Sequence, residues 1–204
     1  MTEVAPRRRG TTTGSSRRAE LLSLAGDMFA TKGFAQTTVR DIADGAGILS
    51  GSLYHHFTSK EAMLTELLSG FLDGLHSRFS AIVEAGDDPR ADLDGLITES
   101  FRTIDAEQQA VALYQNEQAF LATVDGFDFV ADRSRQIEEL WIRVLEAGRT
   151  SGVFRSEIDA GLVYRFIRDG VWSTVRWYRP DGPLPAERLA EQYIQLLHAG
   201  LLAS

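Results

Sequence analysis

Apolar residues recur about every 3.6 positions along most of the chain, which is the spacing of amphipathic helices. The first such stripe consists of Leu21, Leu22, Ala25, Met28 and Phe29. The same period continues over residues 59–83, 91–105, 107–122, 129–149, 159–178 and 185–202, with breaks at 86–90 and 150–153. No stretch alternates apolar and polar residues for long enough to indicate a sheet. The sequence therefore predicts an all-α protein.

One segment departs from long helices: residues 36–64 have the layout of short helices separated by tight turns. Thr38 with Asp41 forms a capping-box pattern that starts a first helix. Gly45 and Gly47 are expected to end that helix, because glycine readily adopts left-handed backbone angles.

A second short helix is predicted over residues 50–57, with Ser50 as its cap. Thr58 with Glu61 then forms another capping-box pattern ahead of the long helix that follows. Two short helices joined in this way form a helix-turn-helix, which places its second helix in the major groove of DNA. Four apolar residues are expected to hold the unit together: Ile42, Ala43, Ile48 and Phe57. The pattern predicts a DNA-binding protein.

Charge is divided unevenly along the chain. The net charge is −8, but residues 1–60 hold eight Lys and Arg against five Asp and Glu. The remaining residues hold thirteen basic against twenty-four acidic side chains. This asymmetry favours a basic head that faces phosphates and an acidic body that does not touch DNA.

Composition limits the other classes of function. The 204 residues exceed the roughly 50 to 60 that a helix-turn-helix unit needs, so most of the chain does something else. The absence of cysteine excludes disulfides, thiolate metal sites and cysteine nucleophiles. No apolar run approaches membrane-spanning length and the N-terminus lacks the apolar core of a signal peptide, so a cytoplasmic location is expected.

No metal, cofactor or catalytic site is expected. The neighbouring His55 and His56 diverge by about 100° on a helix and have no further metal-binding motif beside them. The glycines at 45 and 47 follow a helix rather than a strand, which excludes a dinucleotide loop. The sequence contains no nucleophile elbow, Walker loop or credible triad, so it does not predict an enzyme.

The N-terminal part of the chain resembles the signature of the TetR family of bacterial repressors. The resemblance covers residues 16 to about 70 and rests on Leu21, Leu22, Ala25, Met28, Phe29, Lys32, Gly33, Phe34, Thr37, Thr38, Val39, Arg40, Asp41, Ile42, Ala43, Gly47, Gly51, Ser52, Leu53, Tyr54, His55, His56, Phe57, Ser59, Lys60 and Glu61. It implies a helix-turn-helix domain over 16–60 and an all-helical effector-binding and dimerisation domain over 61–204. Residues 1–15 are expected to be disordered, either as a basic arm on DNA or as a solvated tail.

Two segments carry a narrower resemblance. DIADGAGILSGSLYHHF and LVYRFIRDGVWSTVRWYRP are similar to the TetR-type repressors of late cholesterol catabolism in actinobacteria. Those repressors respond to a CoA thioester of a steroid-ring fragment. The resemblance therefore implies an acyl-CoA effector, which composition and periodicity do not indicate.

Candidate DNA-contacting residues cluster around the second short helix. Side chains expected to face the groove are Leu49, Ser50, Ser52, Leu53 and His55. Side chains with donors for phosphates are Thr37, Thr38, Arg40, Tyr54, His56 and Lys60. The family resemblance places phosphate contacts on Thr38, Tyr54 and Lys60.

The predicted helix 159–178 carries a second chemical pattern. At 100° per residue, one stripe along the helix contains Arg165, Arg168, Trp172, Arg176 and Arg179. Guanidinium groups bind phosphates and carboxylates, and a tryptophan between them can pack against an apolar or planar ligand. The alternative is a row of salt bridges to acidic neighbours such as Glu138, Glu139 and Asp169. The family resemblance favours ligand binding.

The helix predicted over 107–122 mixes apolar, aromatic and amide side chains, as the walls of small-molecule pockets do. We expect effector contacts from Tyr114, Gln115 and Gln118, beside Val111 and Phe120. Simple packing is the alternative interpretation of the same pattern.

The last predicted helix has an apolar seam, formed by Leu189, Tyr193, Leu196, Leu197, Gly200 and Leu201. In the family, the last two long helices pair across a two-fold axis, which presents two recognition helices about one DNA turn apart. A monomer that buries the seam internally is the alternative.

Together these patterns predict a homodimeric, ligand-responsive repressor that binds an inverted-repeat operator. The rival interpretations are a regulator with a different acyl or hydrophobic ligand, a DNA-binding protein without an effector, an activator, and an all-α enzyme that handles thioesters.

Overall fold

The computed structural model of the protein describes residues 12–86, 88–121 and 123–202. No strand occurs in these three ranges, and the all-α prediction is confirmed. The α-helices there are α1 Thr12–Lys32, α2 Val39–Gly45, α3 Ser50–Leu53, α4 Lys60–Ala85, α5 Pro89–Ala106, α6 Gln108–Leu121, α7 Asp128–Ser151, α8 Ala160–Trp172 and α9 Ala186–Leu201. None of these helices is long and apolar enough to cross a membrane.

The chain divides into two compact units, Met1–Leu64 and Thr65–Ser204, which we call the head and the body. In the head, α1 buries Leu21, Ala25 and Phe29, which recur every fourth residue and so lie on one side of the helix. Their partners in the interior are Phe34, Ile42, Ala43, Leu53, Phe57, Met63 and Leu64. The short helices α2 and α3 are thus held by packing, because helices of this length are not stable alone.

The beginning of the chain differs from expectation where it can be compared. Residues 1–11, which include the arginines at 7–9, lie outside the described residues. Residues 12–15 were expected to be disordered but belong to α1. Arg17 donates to the carbonyl of Ala46 at 2.8 Å, and Arg18 lies 4.4 Å from the centre of the Phe57 ring. Both arginines therefore stabilise the head itself.

The predicted capping residues were correct for α2, but for α3 and α4 they differ by one residue from the observed caps. Thr38 accepts a hydrogen bond from the Asp41 amide, and the Asp41 carboxylate accepts one from the Thr38 amide. At the start of α4, Ser59 rather than Thr58 provides the capping oxygen, which accepts from the Ala62 amide at 3.0 Å.

Two glycines lie at the turn between α2 and α3, and one of them has a backbone conformation that favours glycine. Gly47 has a φ of 66°, which favours glycine. Gly45 is the last residue of α2, and a Cβ there would lie 2.9 Å from the Met28 methyl carbon, which is the end of a flexible side chain and can move aside.

Asp41 makes the stability of the head depend on pH. Hydrogen bonds from Lys32 and from Thr38 lower the pKa of its carboxyl from 3.8 to about 2. Because this pKa is depressed by folding, the stabilisation is present above pH 3.8 and is lost as the pH falls through about 2. We predict that Asp41→Asn lowers the midpoint of thermal unfolding at pH 7, and that its difference from wild type shrinks below pH 4.

Asp44→Asn is the matched control for this prediction. Asp44 is exposed and lies at 3.6 Å from an Arg40 side chain that is also exposed, so its replacement should change the midpoint little at any pH. A difference between Asp41→Asn and wild type that stays constant down to pH 2 would contradict the linkage.

In the body, α5 occupies the centre and packs against α6, α7, α8 and α9. It is buried on several sides, through Leu93, Leu96, Ile97, Ser100, Phe101, Thr103 and Ile104. Arg78 of α4 forms ion pairs with Glu99 of α5 and Glu107 before α6, each at 2.8 Å. These contacts fix the second half of α4 within the body.

Two helices are shorter than the periodicity predicted. Helix α3 ends at Leu53 rather than 57, and α8 ends at Trp172 and continues as a 3₁₀ turn over Ser173–Arg176. At the C-terminal end of α8, the hydroxyls of Ser173 and Thr174 donate to the carbonyls of Gly170 and Val171. Such local bonds compete with helical hydrogen bonds, which explains why α8 does not reach residue 178.

Candidate nucleic-acid interface and ligand cavity

The surface around α3 presents most of the side chains expected to face DNA. Leu49 is 81% exposed and Tyr54 is 56% exposed. Arg40 and His55 are exposed as well, and the half-buried members of the set are Ser50, Ser52 and His56. Among the described residues, the Tyr54 hydroxyl makes no hydrogen bond, so it is available to a phosphate.

Two residues of the predicted set are corrected by their burial. Leu53 is 2% exposed and packs in the interior of the head, so it cannot read bases. Thr37 is fully buried, and its hydroxyl donates to the Gly33 carbonyl at 2.8 Å. Leu53 lies four residues before the buried Phe57, a spacing that puts both side chains on one side of a helix, so its assignment to the DNA-facing side was wrong.

Lys60 and Thr38 have structural contacts besides any contact with DNA. The Lys60 ammonium donates to the carbonyls of Phe34 and Thr37 at 2.8 and 2.9 Å, and it lies 4.1 Å from the centre of the Phe34 ring. An ammonium has three donors, so one remains for a phosphate. Thr38 is exposed, but its hydroxyl oxygen already caps α2.

The body contains a cavity of about 440 Å³ between α4, α6, α7 and α8. This volume lies within the range of roughly 300 to 1,000 Å³ that is usual for small-molecule sites. The apolar part of the lining consists of Phe71, Leu72, Leu75, Ala131, Ile137 and Tyr164. The polar part and the tryptophan are Tyr114, Gln115, Gln118, Ser134, Arg135, Glu138, Arg168, Asp169 and Trp172. We call this space the ligand cavity.

A hydrogen-bonded chain of neutral groups lies on one wall of the ligand cavity. Tyr114 and Ser134 share a hydrogen bond of 2.8 Å, and the Gln118 amide donates to the Tyr114 hydroxyl at 3.2 Å. Burial raises the pKa of Tyr114, and burial together with the nearby Glu138 raises that of Tyr164. Both phenols therefore stay protonated. Because Ser134 donates to the Val130 carbonyl, Tyr114 donates to Ser134, which leaves the amides of Gln115 and Gln118 as neutral donors for a ligand carbonyl.

Arg168 is the cation of the cavity lining that was predicted from the sequence. It forms an ion pair with Asp169 at 2.8 Å, and its guanidinium lies 5.7 Å from the centre of the Tyr164 ring. The hydrogen bond to Asp169 raises the pKa of Arg168, so the side chain is fully charged at neutral pH. Arg168 thus forms one of the salt bridges of the alternative interpretation and also lines the ligand cavity.

The rest of the arginine stripe is not brought into the ligand cavity. Arg165 and Arg176 are exposed, do not line the cavity, and form no ion pair among the described residues. Beyond Trp172 the stripe is interrupted because α8 ends there and the 3₁₀ turn changes the angle between successive side chains.

Sequence reasoning missed the contributions of α4 and α7 to the lining. Phe71, Leu72 and Leu75 come from α4, and Ser134, Arg135 and Glu138 come from α7. The apolar residues carried the ordinary signal of a core helix. Only the tertiary packing of four helices reveals that part of this core faces an opening.

A second concave surface of the body is apolar and lies between α8 and α9. Its lining is Ile158, Val163, Phe166, Ile167, Tyr193, Leu196, Leu197, Gly200 and Leu201, and we call it the α8–α9 face. Phe166 is 68% exposed and Leu196 is 78% exposed, which is unusual for large apolar side chains. Leu189, which was expected in the same seam, is not part of this lining. Tyr193 also packs against the Phe101 ring of its own chain.

A helix-turn-helix head joined to an all-helical body defines the class of helix-turn-helix transcription factors. A family profile described as "Bacterial regulatory proteins, tetR family" matches residues 21–67, and one described as "Tetracyclin repressor-like, C-terminal domain" matches residues 86–201. The chain belongs to the TetR family and is a transcriptional regulator rather than an enzyme.

Individual relatives cover nearly the whole chain. The HTH-type transcriptional repressor KstR2 of Mycobacterium tuberculosis is 51% identical over 187 residues, which are 92% of this chain and 94% of that protein. KstR2 of Rhodococcus jostii is 50% identical over 187 residues, which are 92% of each. The solved structure of the ketosteroid transcriptional regulator KstR2 of M. tuberculosis has a TM-score of 0.90 at 49% identity and covers 97% of this chain and 100% of that one. The predicted similarity to a steroid-catabolism repressor is thereby confirmed.

Proposed function

We propose that this TetR-family repressor works as a homodimer that binds an inverted-repeat operator and releases it when a CoA thioester of a steroid-ring fragment occupies the ligand cavity. The cytoplasm is the proposed place of action. The observation that carries the proposal is the composition of the cavity, where an apolar floor lies beside Trp172 and the charged Arg168.

DNA binding is supported by the exposed groups of the head. Tyr54 and Arg40 offer donors to phosphates, while Ser50, Ser52, His55 and Leu49 surround the short recognition helix. Lys60 contributes its remaining donor, and the two helix-turn-helix units of a dimer would read two half-sites about one helical turn apart.

The effector is supported by size, chemistry and relatedness. A ring system with carbonyl groups suits the apolar floor and the neutral Tyr114–Ser134 wall, and a carboxylate or thioester carbonyl suits Arg168. Arg176 is exposed four residues beyond Trp172, which places it among the candidates for phosphates that project out of the cavity. Relatives at about 50% identity are repressors, and the solved structure of the one from M. tuberculosis is described as that of a ketosteroid transcriptional regulator.

Coupling between effector and operator follows from the course of α4. This helix begins at Lys60, whose ammonium binds carbonyls of the head, and residues Phe71, Leu72 and Leu75 line the ligand cavity. A ligand that binds more tightly when α4 is in one of two positions favours that position, which changes the distance between the two heads of the dimer. By linkage, operator DNA must lower the affinity for the ligand by the same factor by which the ligand lowers the affinity for operator DNA.

The test of the proposal uses the purified full chain. Selection from random DNA duplexes should enrich an inverted repeat, and fluorescence anisotropy should show release of this operator on addition of a steroid-ring CoA thioester. Free CoA and the free ring acid should release it only at much higher concentrations. Release by a hydrophobic ligand without CoA would favour the alternative effector class, and failure to enrich any repeat would overturn the proposal.

Tyr54 gives a sharper prediction for the head. Removing its hydroxyl with Tyr54→Phe should weaken binding to operator and to unrelated duplex by a similar factor. The expected factor is about fivefold per head and about 30-fold for the dimer, which corresponds to one hydrogen bond of about 1 kcal/mol in each head. The ring itself is retained and the hydroxyl has no hydrogen-bond partner among the described residues, so thermal unfolding should not change. Anisotropy titrations of both duplexes measure the effect, and a loss confined to the operator would mean that Tyr54 reads bases instead.

A further inference from the structure

The turn between α2 and α3 exposes a leucine that no described residue of the head covers. Leu49 is 81% exposed, although it directly precedes the recognition helix α3. Exposed single leucines are ordinary on a protein surface. This one lies on the surface that the proposed function directs toward DNA, and there an apolar side chain has a specific partner.

The position of Leu49 makes its identity informative. It is the N-cap residue of α3, with φ −73° and ψ 144°, and its side chain forms no capping hydrogen bond. Serine, threonine, aspartate and asparagine are the preferred residues at such a position, because their oxygens satisfy free amides of the first turn. At this one position, α3 therefore has no side-chain capping hydrogen bond, and the leucine side chain is not buried.

The backbone holds Leu49 in a defined place. The Ile48 amide donates to the Ala43 carbonyl at 3.0 Å, and the Gly47 amide donates to the Asp44 carbonyl at 3.1 Å. On the other side, the Ser52 amide donates to the Leu49 carbonyl at 2.8 Å. A Cβ added at Gly51 would meet no atom within 4 Å, so the surface beside Leu49 is open to a large partner.

We propose that Leu49 contacts the 5-methyl group of a thymine in the major groove, and that this contact makes the protein select thymine at one position of each half-site. This inference rests on the proposed DNA binding. A leucine has no donor or acceptor, so it cannot read the polar edge of any base. The thymine methyl is the apolar group that unmodified B-DNA offers in the major groove.

Deoxyuridine provides a test that removes only the methyl group. Each thymine of the selected operator is replaced in turn by deoxyuridine, and the affinity of the full chain is measured by anisotropy. At one position, the replacement should weaken wild type about fourfold per half-site, which is the value of one buried methyl or methylene group. Replacement in both half-sites should weaken it about fifteenfold.

Leu49→Ser separates recognition from folding. Serine restores a capping oxygen, so the variant should unfold at the same or a higher temperature than wild type. It should nevertheless bind the thymine operator more weakly, and it should bind the thymine and deoxyuridine operators equally. Leu49→Ala should lose the discrimination in the same way without the added cap.

Leu184→Ser is the matched control, because Leu184 is an exposed leucine of the body, outside the ligand cavity and the α8–α9 face. It should keep the fourfold preference for thymine. If wild type binds its operator but no deoxyuridine replacement weakens it, or if Leu49→Ser keeps the preference, the contact is wrong while the proposed function stands. If wild type selects no duplex at all, the proposed function fails and this contact fails with it.

Discussion

Replacing Leu196 by glutamate is expected to convert the protein to a monomer and to lower its operator affinity by about 100-fold or more. Leu196 is 78% exposed, so the substitution leaves the interior of the body intact. We propose that the two copies of the dimer pair through the α8–α9 face, which contains Leu196. The second copy then covers this side chain, and two-fold symmetry buries two unpaired carboxylates at once. Each half-site is then bound separately, without the gain in effective concentration that a dimer provides.

Gln195→Glu is the control for this prediction. It introduces the same charge one residue away, on the opposite side of α9 from the α8–α9 face, where Gln195 is exposed. Sedimentation and operator titration of both variants measure the effect. A stable dimer of Leu196→Glu would place the interface elsewhere, and a monomer that keeps full operator affinity would show that DNA binding does not need the dimer.

The head could be predicted closely because its signals are local. The capping box of Thr38 and Asp41, the left-handed Gly47 and the apolar spacing of α1 each depend on a few neighbouring residues. The prediction of the head was wrong where the end of a helix was inferred from periodicity alone. The pattern could not show that α3 would end at Leu53.

The ligand cavity could be predicted only in part. Tyr114, Gln115, Gln118, Arg168 and Trp172 were selected from two separate helices and do line one space. Ser134, Arg135 and Glu138 gave no such signal, because a polar residue on an amphipathic helix usually faces solvent. Which polar residues meet in a cavity depends on the packing of α4 and α7, which is a tertiary property.

A protein that binds its operator but no longer responds to the thioester is the expected result of altering the ligand cavity. Trp172→Leu removes the large ring surface from the lining, and Arg168→Ala removes its charged donor. Loss of a charged hydrogen bond costs about 1.5 to 3 kcal/mol, or roughly 10- to 150-fold in affinity for the effector. Neither side chain belongs to the head, so operator affinity without effector should stay unchanged.

Arg165→Ala is the matched control, because this arginine lies one turn before Arg168 on α8, is exposed, and does not line the ligand cavity. Calorimetry with the thioester, free CoA and the free acid measures effector affinity, and anisotropy measures release of the operator. If Arg165→Ala loses the response as strongly as Arg168→Ala, the effector binds the outer arginines rather than the cavity. If Trp172→Leu and Arg168→Ala respond like wild type, the cavity is a packing defect and the effector site must lie on another surface. A loss in both cavity variants with an intact response in the control is the combination that only an effector bound between α4, α6, α7 and α8 explains.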